Sequence, residues 1–297
     1  MQEKSLILPQ TYSISRIQDY VQLTKLRLSG LVVFSAVMGY LIATGSSFSW
    51  YSIFILSLGG FLVTGSSNAF NQIIEKDTDK LMTRTADRPL PSGRMTVTTA
   101  TLAAVAMGIS GIAILWIGLN PLCGILSFFS LILYTIVYTP AKKLTTFSVL
   151  IGAIPGAFPP LLGWIAARNQ IGLEGLILYA IQFIWQFPHF WAIAWILNDD
   201  YLKAGFKMLP GNGRTRSSAF QTLAYSICLI PLGFLPQFFG LVDSWVTLLL
   251  VLTGILFTAQ SVKLYADCEM KSAQRLMFGS FIYLPVVQIV WMISKLF

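Results

Sequence analysis

Nine stretches of this chain are apolar and long enough to cross a lipid bilayer. They lie near residues 28–45, 51–73, 97–118, 121–139, 146–167, 173–197, 219–240, 244–264 and 276–296. A hydrocarbon core about 30 Å thick is crossed by roughly 20 apolar residues in a helix. Inside it, backbone polar groups are satisfied only in helices or closed barrels. Apolar residues make up 55% of the chain and charged residues 11%, which excludes an ordinary soluble domain. The expected fold is an all-α integral membrane protein of about nine transmembrane helices. Pro155, Pro159, Pro160, Pro188, Pro231, Pro236 and Pro285 fall inside these stretches. Membrane helices tolerate such prolines where neighbours re-satisfy the freed backbone.

Charge sorts the connections into two sets. Basic residues gather in the N-terminal segment (Lys4, Arg16, Lys25, Arg27) and in the loops at 74–96, 140–145, 198–218 and 263–275, whereas the other side has Arg168 and Lys295. The positive-inside rule then puts the N-terminus in the cytoplasm and, after nine crossings, the C-terminus outside. Residues 1–27 form a cytoplasmic segment and 28–297 one membrane domain. The net charge of +8 follows from this topology and gives no reason to expect nucleic acid. Cys123, Cys228 and Cys268 are isolated in sequence and read as small buried apolar residues. No short apolar core with a cleavage site opens the chain, and Glu3 and Asp19 suit a transit peptide poorly. Direct insertion into a bacterial cytoplasmic membrane is the simplest expectation.

Where the second stretch runs into its loop, Asn71, Glu75 and Asp79 recur every four residues. That spacing lines three oxygen-bearing side chains along one stripe of a helix. Acids are costly near lipid, so an aligned set points to a site. Asp77 points off the stripe and ranks lower. Arg84, Arg88 and Arg94 follow closely. Hard oxygen ligands beside guanidinium groups suit Mg²⁺ holding a phosphate. The loop after the sixth stretch repeats the theme with Asn198, Asp199, Asp200 and Lys203. The two loops end alike, in Leu90-Pro-Ser-Gly-Arg94 and Leu209-Pro-Gly-Asn-Gly-Arg214, which hints at a parallel repeat offset by four spans. Two acidic clusters facing each other would hold one or two Mg²⁺ ions against a diphosphate, with Arg84, Arg88, Lys142 and Lys203 on the remaining oxygens and Lys143 and Arg214 in reserve.

His189, the only histidine, lies ten residues before Asp199 among Trp185, Phe187, Phe190, Trp191 and Trp195. Packing, metal or haem ligation, proton acceptance and orientation of an acceptor substrate all remain open for it. No phosphate-binding P-loop, nucleophile elbow or paired-histidine zinc motif is present.

The run from Asn71 through Glu75, Asp79 and Met82-Thr-Arg84-Thr to Arg88-Pro-Leu-Pro-Ser-Gly-Arg94 resembles the first acidic motif of the UbiA superfamily of intramembrane prenyltransferases. Tyr138-Thr-Pro-Ala-Lys142-Lys143, Gly152-Ala-Ile-Pro-Gly156-Ala-Phe-Pro159-Pro160-Leu-Leu-Gly163-Trp164, and Trp185-Gln-Phe-Pro-His189 leading to Asp199-Asp200-Tyr201 resemble its haem-farnesylating branch. The resemblance implies a helical bundle with a cavity open toward lipid and a cytoplasmic cap from the two long loops. It implies farnesyl diphosphate as donor, Mg²⁺ as cofactor and haem B as acceptor, with haem O as product. Asn71, Glu75, Asp79, Asp199 and Asp200 would then be metal ligands, and His189, Trp185 and Trp191 would face the haem. Other superfamily members carry a second acid four residues on, where this chain has Lys203. Oligomeric state and contacts with other haem-pathway proteins stay open. Two other readings share these features. One is a prenyltransferase with an aromatic or quinone-precursor acceptor. The other is a secondary transporter, disfavoured because the acids sit at the rim and not at mid-membrane.

Overall fold

In the computed structural model of the chain, residues 16–211 and 213–296 are described. Glu3, Lys4 and Asn212 lie outside them. Nine helical segments among the described residues are long and apolar enough to cross a membrane, and each coincides with a stretch expected from the sequence. A short helix α1 (Arg16–Thr24) precedes the first, α2 (Leu26–Thr44). Next come α3 (Trp50–Ile74), the single-turn α4 (Lys76–Asp79) and α5 (Val97–Gly118). The fourth span is composite: α6 (Pro121–Ile132), a π-helical turn at Leu133–Tyr138, and α7 (Thr139–Leu144). The fifth divides into α8 (Ser148–Gly156) and α9 (Phe158–Arg168). Then follow α10 (Leu173–Ile196), the short α11 (Asn198–Lys203), α12 (Arg216–Phe238), α13 (Ser244–Asp267) and α14 (Met270–Ile293).

Local chemistry sets several boundaries. Ser49, Thr96, Asn120 and Thr215 cap α3, α5, α6 and α12 by accepting a backbone N–H of the first turn, which satisfies one of the groups a helix start leaves unpaired. Pro155, Pro159 and Pro160 crowd the α8–α9 junction, and the chain bends there. Pro140 removes a backbone donor from the fourth span, and the wide π turn lies immediately before it.

The helices close a ring. α3 packs on α5, α2 on α9, α10 on α12 and α14, and α13 on both α12 and α14, while α14 returns to α2. The hydrophobic effect does not drive helices together inside lipid, so close backbone approach does the work. At the α2–α9 crossing a Cβ on Gly163 would land on the carbonyl of Ala36, and one on Gly39 on the carbonyl of Pro160. Only glycine fits at either place. A buried polar knot adds to this. Ser35 Oγ on α2 donates to Gln182 Oε1 on α10 at 2.6 Å, and Gln288 Nε2 on α14 donates to Ser35 Oγ at 2.7 Å. At the less basic end, Glu174 accepts from Lys295 (2.9 Å) and Trp291 (3.0 Å), tying α10 to the end of α14.

The cysteines depart from expectation. Cys123 is buried, but Cys228 is exposed and Cys268 partly so. A thiol on an outward helix face costs little where the surroundings are lipid.

Candidate active site

At the basic end of the ring, α3 ends at Ile74, yet its hydrogen-bond ladder continues. Glu75 N donates to Asn71 O (3.0 Å) and Asp79 N to Glu75 O (2.8 Å). The stripe of three therefore survives the change from α3 to α4. All three residues are buried, and Asp79 is 0% exposed. They turn inward and do not pair with the neighbouring Lys76 and Lys80. Asp77 points to solvent and pairs with Lys80 at 3.3 Å.

Each inward side chain meets a residue from a distant segment. Glu75 Oε1 accepts from Lys142 Nζ at 2.9 Å. Lys142 is mostly buried, and its ammonium lies 4.8 Å from the centre of the Tyr138 ring. Asp79 Oδ2 accepts from Arg88 Nη1 at 2.6 Å, whereas its Oδ1 is buried with no partner. Asn71 Nδ2 donates to Thr139 Oγ1 (3.3 Å), and Thr139 in turn donates to the Tyr134 carbonyl (2.8 Å). This orients the Asn71 oxygen toward Lys25 Nζ, 3.4 Å away. The π turn before Pro140 thus places both Thr139 and Lys142, as such turns often do at functional sites.

The loop after α4 is held by its own polar groups. Thr85 Oγ1 donates to Asp79 O (2.8 Å). Arg94 clamps α1 to the loop by donating to Asp19 (2.9 Å), Gln22 (3.0 Å) and Asp87 (2.8 Å). Between α1, the start of α2 and this loop lies an open cleft of about 500 Å³ lined by Gln22, Lys25, Leu28, Arg84, Asp87 and Arg88.

Lys25 was legible in the sequence only as one more loop charge. It occupies the break between α1 and α2 with φ +49°, a left-handed conformation uncommon outside glycine. Burial, and then repulsion from Arg88 and Lys142, pull its pKa down to about 7, against a smaller opposing pull from Glu75. The clue in the sequence was its place directly before the first span. Lys25, Arg84, Arg88 and Lys142 together give the site a surplus of positive charge, the electrostatics of a pocket built for a polyanion.

The second acidic segment behaves differently from the first. Asp199 is 73% exposed and accepts from Arg214 at 3.1 Å, while Arg214 also donates to the Trp195 and Ile196 carbonyls. Asp200 accepts from Lys203 (3.1 Å), Thr83 Oγ1 (3.3 Å) and Arg84 N (3.4 Å). The Lys203 hydrogen bond leads in holding its carboxyl below the usual range. Asp200 therefore bridges the two long loops, and Lys207 N, donating to Lys142 O (2.9 Å), ties the second of them to α7. Among the described residues no three His, Cys, Asp or Glu side chains are grouped closely enough to share an ion. The structure does not bring Asp199 and Asp200 together with Glu75 and Asp79. The reason is local: each of the four carboxylates has its own cation. Lys143 is exposed on the cap and Arg84 is exposed at the cleft.

Asn71, Glu75 and Asp79 are the residues of the first cluster that could hold a divalent cation. Asp79 Oδ1 is buried and unpartnered, and Asn71 Oδ1 and the Glu75 carboxylate lie on the same stripe. These are hard oxygen donors of the kind Mg²⁺ takes, with coordination positions left for phosphate oxygens and water.

Deeper along that stripe lies a narrow apolar cavity. It is lined by Val33 and Ala36 of α2, Gly60 and Thr64 of α3, and Phe158 and Leu162 of α9. Thr64 and Gly60 lie seven and eleven residues before Asn71, on the same helical face and about 10–16 Å further into the membrane.

His189 sits inside α10 and is buried. Its ring stacks on Trp185 (4.6 Å between centroids, 14° between planes) and meets Phe190 and Phe281 edge-on. Trp191 is not in this group. It packs on the opposite flank of α10 against Phe187 and Tyr225.

Residues 32–284 match the model of the UbiA prenyltransferase family. The chain is 47% identical to a protoheme IX farnesyltransferase of Cytophaga hutchinsonii over 286 residues, covering 95% of this chain and 99% of that one. It is 43% identical to a protoheme IX farnesyltransferase of Flavobacterium psychrophilum, covering 95% of each. Its fold is similar to a solved structure of digeranylgeranylglyceryl phosphate synthase (TM-score 0.78, 17% identity, covering 94% of this chain and 98% of that one). It is also similar to a UbiA homologue from Archaeoglobus fulgidus bound to GPP and Mg²⁺ (TM-score 0.69, 15% identity, 92% and 99% covered).

Proposed function

We infer the activity from one premise: the chain belongs to the UbiA prenyltransferase family. We propose that it transfers the farnesyl group of farnesyl diphosphate to a vinyl group of haem B, with addition of water, giving haem O and diphosphate. The likeness to protoheme IX farnesyltransferases over nearly the whole length of both chains supports the acceptor. The observation that carries the chemistry is the buried stripe of Asn71, Glu75 and Asp79 ringed by Lys25, Arg88 and Lys142.

Asn71, Glu75 and Asp79 would hold Mg²⁺, which when bound offsets the charge of the diphosphate. Lys25, Arg84, Arg88 and Lys142 grip the remaining phosphate oxygens, with Lys203 at the edge of the cap. As the allylic C–O bond breaks, its electron pair goes to the diphosphate, and these fixed cations stabilise the negative charge where it develops. Arg88 and Lys142 exchange their carboxylate partners for phosphate as the ligand enters. Asp199 and Asp200 act on the cap: Asp200 orders the first loop and Asp199 fixes Arg214. The narrow cavity below Asn71 widens for the isoprenoid tail, and its apolar walls keep water from the allylic cation. Trp185 and His189 face the haem, and Trp191 supports them from behind. The membrane is the bacterial cytoplasmic membrane, with the cap inside the cell.

Membranes bearing the protein are incubated with haem B and farnesyl diphosphate, with and without Mg²⁺, and the haem is analysed by mass. The expected product is a hydroxyethylfarnesyl haem formed only with the metal. Alkylation of 4-hydroxybenzoate with haem left unchanged would overturn the acceptor.

A further inference from the structure

The hydrogen-bond chain behind His189 fixes more than its position. His189 Nδ1 lies 2.7 Å from Ser280 Oγ on α14. The Ser280 hydroxyl donates its only proton to the Met277 carbonyl at 2.5 Å. With its hydroxyl so engaged, Ser280 is placed to accept from the ring, which favours the tautomer with the proton on Nδ1. Nε2 keeps its lone pair and makes no hydrogen bond with any described residue.

Trp185 locks the ring in the plane this requires. It stacks on the imidazole, and its own Nε1–H is tied to the Ser280 carbonyl at 3.0 Å. Two contacts to one residue of α14 thus hold the histidine and its backing ring together. A buried imidazole with one nitrogen anchored to an oxygen acceptor and the other bare is the arrangement of a metal-ligating histidine, in which the outer hydrogen bond sets tautomer and basicity. Packing alone requires neither the spent hydroxyl nor the open nitrogen.

The surroundings suit a large planar ligand. Phe281 and Phe278 of α14 are exposed on the outer face beside this site, and Phe190 flanks the ring. His189 lies seven residues before the end of α10, about 10 Å below the cap. A porphyrin arriving through the membrane at the α10–α14 seam would meet apolar edges first and the imidazole next.

We propose that His189 Nε2 is an axial ligand to the iron of the acceptor haem, and that Ser280 is a positioning residue that holds the imidazole in the ligating tautomer. This deepens the proposed function and rests on haem being the acceptor. The site would be specific for a metalloporphyrin with an open axial position.

The test uses the full chain in lipid nanodiscs with ferric haem B and no farnesyl diphosphate, so that it reads ligation and not turnover. Electronic absorption and electron paramagnetic resonance report a histidine-ligated ferric haem in the wild type. His189→Gly abolishes that signature, and added imidazole restores it. Ser280→Ala keeps histidine ligation but weakens haem affinity about 10–100-fold, the usual cost of losing an outer-shell partner of a metal ligand. Farnesyl diphosphate binding at wild-type affinity shows that the glycine variant is folded, and protein-free nanodiscs with haem and imidazole set the background for the rescue. Unchanged spectra and affinity in His189→Gly would overturn the proposal, as would loss that imidazole does not repair while farnesyl diphosphate still binds. Wild-type protein that makes farnesylated haem but shows no histidine signature would sink the ligand and leave the activity standing. Wild-type protein that binds no haem at all would sink both.

Discussion

The pair of Lys142 and Glu75 separates folding from catalysis in one experiment. The two are 2.9 Å apart, with side chains 12% and 6% exposed. At an effective dielectric near 20, charges at that distance attract by about 6 kcal/mol, much of which offsets the cost of burying them. Removing one partner leaves the other buried and unpaired, a loss of about 3–5 kcal/mol. Lys142→Met and Glu75→Gln should each destabilise the protein by that amount, while the double variant should lie close to the wild type. Activity should follow a different rule. Lys142 is assigned to charge on the leaving diphosphate, and loss of one such group costs about 10²–10³ in rate. Glu75 is assigned to the metal. The double variant should therefore be stable and still inactive by at least that factor. Stability is read from thermal unfolding in detergent, and activity from mass analysis of haem after incubation with farnesyl diphosphate and Mg²⁺. A double variant that regains activity along with stability would show the pair to be structural, and the assignment of the site would fail.

Lys25→Met removes a charge that the fold holds with its pKa lowered to about 7. Because the unfolded chain keeps the lysine protonated up to its ordinary value near 10.5, the burden on the folded state is greatest below pH 7 and is relieved as pH rises above it. The substitution should therefore stabilise the unliganded protein more at pH 6 than at pH 9, measured by thermal unfolding. It should also weaken diphosphate binding about 10–150-fold, the value of a hydrogen bond to a charged group, measured by inhibition with inorganic diphosphate. Chelation of divalent ions should abolish prenyl transfer and Mg²⁺ should restore it, with haem binding unaffected, as read by spectroscopic titration. Gly163→Val should destabilise the protein by about 1–3 kcal/mol or more, the range typical of overpacking, seen as a lowered unfolding midpoint, because its Cβ meets the Ala36 backbone. Gly30→Ala, with nothing within 4 Å, should be neutral or slightly stabilising in the same assay.

The spans were legible because their signal is local: an apolar run of membrane length needs no partner to be recognised. The stripe of Asn71, Glu75 and Asp79 was legible for the same reason, since a spacing of four is enough to align side chains on a helix. What the sequence hid depends on residues far apart in the chain. Asp199 looked equivalent to Asp79, but Arg214, anchored by the Trp195 and Ile196 carbonyls, draws it outward. Lys25 looked like a topological charge until the α1–α2 break turned it toward Asn71. Trp185 and Trp191 looked alike, yet six residues on an α-helix put them on opposite flanks. Ser280 carried no signal, because its meaning depends on His189, 91 residues away.

The ring of helices closes where α14 meets α2, so the first span waits for the last. α14 follows the other eight described spans in chain order, so during synthesis it enters the bilayer after they do. By then α2 and α10 are already made, with a gap where Gln288 will meet Ser35 and Gln182 and where Ser280 will meet His189. The wall that α14 supplies is therefore the last to be added. A nascent chain halted after α13 would carry the acidic machinery with one wall missing, open to lipid.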